Sequence, residues 1–416
     1  MSQNCLFIFA FLDFFTGMRR YRIGYYAIIL LTITVLMCAR KKSAEPLLAE
    51  RGAEDTLAHM EPYKIAGKPL SSEYITDKKY AIGKFVNKHW RNPKETLSLL
   101  VAQNGQILFE HYQGVADQSR DIKMAANTPL HIASVSKVLT ATAVLKLIDA
   151  GKIELDQKVN TILTGFPYEE VTIKTLLNHR SGLQNYAYYF DQKGKWDKTR
   201  AITNQEILDR YIADDVPLAF LTDKRFTYCN TNYAMLALII EKVTGLSYPA
   251  AMKRMIFDPL GMKDTFVYEH EKMKGKTIPS YFASGVEIAT DYLDAVYGDK
   301  NIYSTPRDIL KFDTSRYSPE FLTPELMKKV YVGYSFENKG EKNYGLGIRM
   351  IDWVTGQHFY FHNGWWHGNT SSYVNLKKEK VMIIALSNRY SKKPYQVKLL
   401  AKLFGDYPFK SGDDLE

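Results

Sequence analysis

Strand-like runs occur near both ends of this chain and leave a long helical section between them. Residues 97–102 and 107–112 are apolar-rich and are joined through Asn104-Gly105, a pair that suits the positive φ angles of a tight hairpin. Further strand-like runs follow late in the chain, at residues 345–353, 358–362, 371–375 and 381–387. We therefore expect one antiparallel sheet that is built from both chain ends.

The section between these runs is mostly helical in pattern. Helices are predicted over residues 135–150, 206–213 and 233–243, and a further helix over 396–404 closes the chain. The 416 residues, 46% of them hydrophobic, are enough for one large core. The predicted fold is of the α/β (α+β) class, an antiparallel sheet flanked by helices with a mostly helical inserted subdomain.

The N-terminal region has the features of an export segment. Residues 23–37 are apolar and uncharged, with Arg19, Arg20 and Arg22 before them, and the run is shorter than the ~20 residues of a transmembrane helix. Residues 1–38 are predicted to be an export signal or membrane anchor whose true start is Met18. Cys38 is a lipidation candidate, because residues 35–38 resemble a lipoprotein box, although an uncleaved anchor stays open.

The rest of the domain plan follows from composition. Residues 39–61 are predicted to be a tether and residues 62–410 the globular domain, exported and membrane-anchored on the periplasmic side of a bacterial envelope. The net charge of +10 is spread along the chain without an aromatic-interleaved basic stripe, which argues against nucleic acid. Cys229 is alone in the globular part, so no disulfide is expected. No cofactor is expected, and the oligomeric state is left open.

Ser134-Val135-Ser136-Lys137 stands at the head of the first predicted helix. Ser134 and Lys137 lie about one helical turn apart on the same face, so the lysine amine can reach the serine hydroxyl. Ser136 is about 200° round the helix from Ser134 by this geometry and is given no catalytic role. The spacing makes Ser134 a candidate nucleophile.

Two other short patterns carry candidate polar groups. Tyr228-Cys229-Asn230 comes just before a predicted helix, where Asn230 is placed to donate to a substrate or accept from Lys137. His362-Asn363-Gly364 ends a predicted strand, and its glycine lets the backbone approach a ligand closely. The amide of the next residue, Trp365, is a candidate oxyanion donor.

In this order and spacing, the three patterns resemble the S-x-x-K, Y-x-N and H-x-G motifs of the serine β-lactamase and penicillin-binding protein family, most closely its class C-like branch. The resemblance extends over about residues 75 to 405. It includes the stretches 172–183, 238–245, 258–262 and 301–309.

The resemblance implies a role for each motif residue. Ser134 is the nucleophile, and either Lys137 or Tyr228 is the base, a choice that the sequence leaves open. The backbone amides of Ser134 and Trp365 form the oxyanion hole. The remaining motif positions are expected to bind substrate: Asn230, His362, Asn363 and Gly364.

Two departures from the family pattern bear on the substrate. His362 replaces the usual lysine and Asn363 the usual hydroxyl residue, so recognition of an anionic β-lactam or D-Ala terminus is expected to be weaker. The expected activity is hydrolysis of amide or ester bonds through an acyl-enzyme, on a small molecule or a peptidoglycan peptide. The alternative is a non-catalytic penicillin-binding-type receptor or scaffold. No metal site is expected, because His358 and His362 lie in a strand-like run without a carboxylate between them.

Overall fold

The computed structural model describes residues 63–65, 69–337 and 340–409. They belong to one compact unit, residues 60–416. The predicted export segment, the start at Met18, the lipidation candidate Cys38 and the tether at 39–61 lie outside the described residues.

Fourteen strands occur in the described part of the chain. They are β1 Leu97–Gln103, β2 Gln106–Gln113, β3 Val115–Asp117, β4 Ile122–Lys123, β5 Leu130–His131, β6 Phe266–Val267, β7 Ser280–Tyr281, β8 Glu287–Ile288, β9 Ile302–Ser304, β10 Lys342–Tyr344, β11 Arg349–Asp352, β12 His358–Trp366, β13 Asn369–Leu376 and β14 Val381–Ser387.

The described helices surround these strands. The α-helices are α1 Ser72–His89, α2 Ser136–Asp149, α3 Ile173–Leu177, α4 Tyr186–Asp191, α5 Asn204–Ala213, α6 Asn230–Thr244, α7 Tyr248–Met252, α8 His270–Met273, α9 Pro306–Ser315 and α10 Pro324–Val330. Short 3-10 segments cover Ala133–Val135, Val159–Thr161 and Lys393–Leu403, and a π-helical turn covers Lys253–Phe257.

The main sheet joins the two ends of the described chain, as predicted. Its seven strands run in the order β10-β11-β12-β13-β14-β1-β2, and every neighbouring pair is antiparallel. Strand β1 lies beside β14, with Ser98 opposite Leu386, although almost three hundred residues separate the two in sequence. The predicted hairpin of β1 and β2 is confirmed, because Asn104 and Gly105 both have positive φ, 53° and 77°.

Several predicted element bounds differ from the structure. Strand β11 starts at Arg349 rather than 345, because Gly345–Ile348 turns over α2: Gly345 N donates to Ile348 O at 2.8 Å. Strand β12 continues to Trp366, past the predicted end at 362. The closing helix is a 3-10 segment that begins at Lys393.

The main sheet is covered on both faces. Along β14 the side chains alternate between two hydrophobic clusters: Ile384 and Leu386 face the cluster around α2 and α6, whereas Ile383 and Ala385 face the cluster under α1. This two-sided burial explains why β14 reads as a continuous apolar run. The sheet is therefore a rigid central layer from which α2 and its first turn are positioned.

Helices α2 and α6 pack against each other and are apolar on nearly all sides. No single helix in the described residues is long and apolar enough to cross a membrane; one bent pair, Asn230–Thr244 with Tyr248–Phe257, passes on length and composition, and most of its residues are buried in the core.

Candidate active site

The first predicted pair is brought together at the start of α2. Ser134 lies in the 3-10 turn before the helix, and Lys137 Nζ is 3.1 Å from Ser134 Oγ. Lys137 is fully buried and also donates to the backbone oxygen of Asp299 at 2.8 Å. Ser136 points elsewhere and accepts from Ile302 N at 3.2 Å, so its predicted lack of a catalytic role agrees with its position.

A strained residue immediately precedes the candidate nucleophile. Ala133 has a φ of 47°, a left-handed conformation that is unfavourable for a residue with a Cβ. The Ala133 N–H donates to His131 Nδ1 at 3.0 Å, and His131 Nε2 in turn donates to Asn301 Oδ1 at 2.9 Å. Burial lowers the pKa of His131 to about 4, so the neutral ring can accept this amide and hold the turn at neutral pH.

Tyr228 lies over the buried amine. The Lys137 Nζ is 5.0 Å from the centre of the Tyr228 ring, and the Arg349 guanidinium carbon is 4.7 Å from the same ring. His179 packs against Tyr228 at 4.4 Å between ring centres, and its Nδ1 accepts from Cys229 N at 3.2 Å. The polar contact and the ring contact together position the Tyr228 motif beside Lys137.

Asn230 begins α6, and its side-chain oxygen is buried without a hydrogen-bond partner in the described structure. The described partners of Lys137 are Ser134 and Asp299, so the alternative in which Asn230 accepts from Lys137 is wrong. A buried amide oxygen without a partner is costly. The predicted role of Asn230 as a donor to the substrate stays a prediction.

His362 is completely buried on strand β12. Its Nδ1 donates to the backbone oxygen of Asn363 at 2.8 Å, and its Nε2 accepts from the Tyr344 hydroxyl at 3.1 Å. Burial lowers the pKa of His362 well below 6.5, and the positive charges of Arg349 and Lys137 lower it further. The imidazole is thus neutral and cannot supply the charge of the lysine that it replaces.

Gly364 passes directly beside the backbone of Ser134, the candidate nucleophile. A Cβ at this position would lie 2.8 Å from Ser134 N, 2.8 Å from Ile132 O and 2.4 Å from Ser371 Oγ. Only glycine permits this approach, which brings the following residue, Trp365, to the edge of the same site. The oxyanion role of the Ser134 and Trp365 amides stays a prediction.

The side chains of Asn363 and His362 lie on opposite faces of the sheet, because side chains alternate along a strand. Phe359 and Phe361 belong to the cluster under α1, so Asn363 lies on that face and His362 on the other. The side-chain nitrogen of Asn363 is buried without a hydrogen-bond partner in the described residues. The predicted contact of this side chain with substrate therefore gains no support from its placement.

Several residues of the site were not assigned from the sequence, among them His179, Tyr344, Asp299 and Arg349. His179 lies in the stretch 172–183 that carries the family resemblance, which was the one available signal. Tyr344, Asp299 and Arg349 had no motif to mark them, because each reaches the site through a contact that is long-range in sequence.

The aromatic stretch after residue 185 is divided between core and surface. Tyr186 and Phe190 are buried, whereas Tyr188 is 76% exposed. Elsewhere, Asp291, Asp294 and His367 have ligand atoms within 4.8 Å of one another. Asp294 Oδ1, however, already accepts from Trp366 Nε1 at 2.7 Å and lies 3.0 Å from His367 Nε2.

A buried lysine at hydrogen-bond distance from a serine, a tyrosine above that lysine and a strand that passes the serine amide define a serine acyl-transfer site. The β-lactamase family model matches residues 87–404, and the chain belongs to this family. It is a β-lactamase-related serine hydrolase with a penicillin-binding-protein-like fold, as the sequence motifs predicted.

Individual relatives agree with this assignment. Penicillin-binding protein 4* of Bacillus subtilis (strain 168) is 29% identical over 357 residues, which cover 78% of each chain. A teichoic acid D-alanine hydrolase of Staphylococcus aureus (strain MRSA252) is 26% identical over 69% of this chain and 71% of its own. The crystal structure of a penicillin binding protein from Bacillus halodurans shares the fold, with a TM-score of 0.67 at 22% identity over 77% of this chain and 98% of that one.

The close passage of Gly364 generates a test of the site geometry. Substitution Gly364→Ala introduces a Cβ against Ser134 N and Ile132 O, so β12 or the nucleophile turn must shift. We expect kcat/KM for an activated ester to fall at least ~100-fold, the size of effect seen when one oxyanion donor is displaced. Gly83→Ala is the matched control, because its Cβ meets Phe109 at an ordinary 3.6 Å. A Gly364→Ala enzyme with undiminished kcat/KM would contradict the placement.

Proposed function

We propose that this protein is an exported, membrane-anchored serine hydrolase that cleaves ester or amide bonds next to a D-alanyl-type acyl group, through an acyl-enzyme on Ser134. The observation that carries the proposal is the 3.1 Å approach of the buried Lys137 amine to the Ser134 hydroxyl. A serine hydroxyl is a poor nucleophile until an adjacent base removes its proton, and this geometry supplies such a base.

The proposed reaction has two acyl-transfer steps. Ser134 Oγ bonds to the substrate carbonyl carbon while its proton passes to the base, Lys137 or Tyr228, and the carbonyl electrons move to the oxyanion. The oxyanion collapses, and the leaving group departs with the proton from the base. Water then attacks the serine ester by the same route and restores the hydroxyl.

The leaving-group side of the substrate is proposed to carry an anion or an acceptor that binds Arg349. The guanidinium lies 4.7 Å from the Tyr228 ring centre, and its Nε is buried without a hydrogen-bond partner among the described residues. Guanidinium binds carboxylate or phosphate through two parallel hydrogen bonds. Arg349 therefore offers the positive charge that neutral His362 lacks.

The names of the relatives support this substrate class. One is a penicillin-binding protein and another a teichoic acid D-alanine hydrolase. A D-alanyl ester on an anionic polymer and a D-alanyl peptide with a free carboxylate both combine a D-alanyl acyl group with a nearby negative charge. The receptor or scaffold alternative is less well supported, because the complete Ser134, Lys137 and Tyr228 arrangement has the geometry for turnover.

The acyl-enzyme is testable by covalent labelling. Wild-type protein is expected to react with a fluorescent fluorophosphonate at one site, and Ser134→Ala is expected to lose the label completely because the attacking oxygen is absent. Ser136→Ala serves as the matched control and should label normally. Intact-mass measurement checks the stoichiometry of labelling. A wild-type protein that reacts neither with a fluorophosphonate nor with a fluorescent penicillin would rule out the proposal.

The role of Arg349 is testable by comparing substrates. Arg349→Met is expected to raise KM for nitrocefin and for a D-Ala-D-Ala peptide roughly 10-fold or more, since one charge-assisted hydrogen bond contributes about 1.5–3 kcal/mol. Hydrolysis of a neutral p-nitrophenyl ester should change little. Arg225→Met is the control, because exposed Arg225 makes a similar contact, 4.2 Å from the Phe220 ring centre. Equal losses on neutral and anionic substrates would show that Arg349 only supports the structure.

Export and anchoring rest on the sequence of residues 1–38 and are testable in cells. The full chain is expected in the membrane fraction, and radioactive palmitate should label it if Cys38 is the lipidated residue. A Cys38→Ser variant should then lose the label, whereas an uncleaved anchor predicts membrane association without any label. Recovery of the intact chain from the cytosol would contradict the proposal.

A further inference from the structure

The turn between strands β7 and β8 carries two exposed apolar side chains. Phe282 N donates to Val286 O at 2.8 Å, and Gly285 N donates to Phe282 O at 2.8 Å, so the turn is tight. Phe282 is 52% exposed and Val286 is 62% exposed. Surface turns are usually built from small or polar residues, because their side chains face water. The turn at 282–286 therefore presents apolar surface that the described residues leave uncovered.

One arginine fixes the position of this turn. Arg389 donates through Nε and Nη2 to the backbone oxygen of Ala283, at 3.0 and 2.9 Å, and through Nη1 to the backbone oxygen of Lys94 at 3.1 Å. The next residue adds a further contact, because Tyr390 N donates to Tyr281 O at 2.9 Å. The turn thus cannot withdraw its apolar side chains from the surface without breaking these hydrogen bonds.

The exposed apolar surface continues to the strand that passes the candidate nucleophile. The Tyr390 ring is 38% exposed and lies 6.2 Å, between ring centres, from Trp365, which is 62% exposed. Trp365 directly follows Gly364 on β12. We call the side chains of Phe282, Val286, Tyr390 and Trp365 the apolar ridge. Linked exposed apolar groups with a polar border are typical of interaction surfaces.

The border of the apolar ridge is basic. It consists of the segments 91–95, 281–291 and 389–393, which the contacts of Arg389 and an ion pair between Lys393 and Glu95 join. Basic residues outnumber acidic ones in these segments: Arg91, Lys94, Arg389, Lys392 and Lys393 stand against Glu95, Glu287 and Asp291. Arg91, Lys94 and Lys392 are exposed. The border therefore attracts a surface of negative charge.

We propose that the apolar ridge is a docking surface for an anionic lipid bilayer. The turn at 282–286 enters the boundary between headgroups and acyl chains, the rings of Tyr390 and Trp365 lie at headgroup level, and the basic border contacts the anionic headgroups. This inference goes beyond the proposed hydrolysis and is independent of an N-terminal anchor. It brings the Gly364 end of β12 to the membrane surface.

A bilayer accounts for both features of this surface. A soluble anionic polymer would bind the basic border but would leave the side chains of Phe282 and Val286 in water. A second copy of the chain carries the same basic border, and like charges repel. An anionic bilayer combines negative charge with an apolar layer directly beneath it, so it matches the border and the ridge together.

The test is photo-cross-linking of the full chain to lipid. The photoreactive residue p-benzoylphenylalanine replaces Val286 or, as the matched control, Val354, which is 97% exposed in the turn between β11 and β12. Each protein is illuminated with vesicles of phosphatidylglycerol or of phosphatidylcholine, and the lipid adduct is measured by mass. We expect an adduct at position 286 with phosphatidylglycerol and none at position 354. If the variant at 286 does not fold, the exposed Ser284 in the same turn takes the photoreactive residue.

Charge reversal tests the basic border. Arg91→Glu combined with Lys94→Glu is expected to lower the adduct at position 286 by ~10-fold or more, because one basic residue near an anionic membrane contributes roughly a fivefold factor. Arg91→Lys combined with Lys94→Arg keeps both charges and should leave the adduct unchanged. Thermal unfolding followed by circular dichroism checks that each variant is folded.

Other outcomes would overturn the inference. Equal adducts at positions 286 and 354, or no adduct at 286 although the chain is in the membrane fraction, would show that the ridge does not dock. Equal adducts with the two lipids would remove the charge complementarity. Cross-linking to a second copy of the chain, or binding of soluble polyphosphate without a lipid adduct, would assign the surface to another occupant. Labelling of Ser134 tests the hydrolase proposal separately, so the two can fail independently.

Discussion

The candidate active site depends on the burial of one amine. Lys137 is fully buried, and its Nζ is held between Ser134 Oγ, the backbone oxygen of Asp299 and the rings of Tyr228 and Tyr233. An amine away from water is stable only if its hydrogens have partners or its charge is reduced. These partners come from the nucleophile turn, the segment 298–302 and the loop before α6, so these parts of the chain must converge for Lys137 to be buried at all.

Three buried histidines complete this arrangement without adding charge. His131 accepts from the strained turn at Ala133, His179 accepts from the amide of Cys229, and His362 accepts from Tyr344. Burial lowers the pKa of each, so one ring nitrogen is available as an acceptor at neutral pH. The three neutral imidazoles thus hold the motifs in place without adding positive charge.

The sheet supplies the rigidity that the close contacts need. Strand β12 pairs with β13 from Tyr360 to Trp366 and with β11 from His358 to Phe361, and beyond Phe361 its Gly364 runs against the Ser134 amide. Because both faces of the sheet are covered, the strand cannot retreat from the nucleophile without disturbing the core. The exposed Trp365 follows Gly364 on the same strand.

The sequence by itself determined the elements and pairings that depend on local spacing. These are the Asn104-Gly105 hairpin, the apolar run of β14, and Ser134 and Lys137 one helical turn apart, which the structure joins at 3.1 Å. Most of the motif residues could be predicted because each motif is a short run of neighbouring residues in the sequence.

Only the tertiary structure decided which distant residues complete the site. Asp299 and Arg349 belong to no local pattern. Asp299 contacts Lys137 and Arg349 contacts the Tyr228 ring only because distant segments pack together in the folded chain. The face of the sheet on which Asn363 lies was likewise fixed by the register and length of β12, which ran beyond its predicted end. Periodicity along a chain reports on neighbours within a turn or a strand, whereas contacts between segments follow from how the whole core is packed.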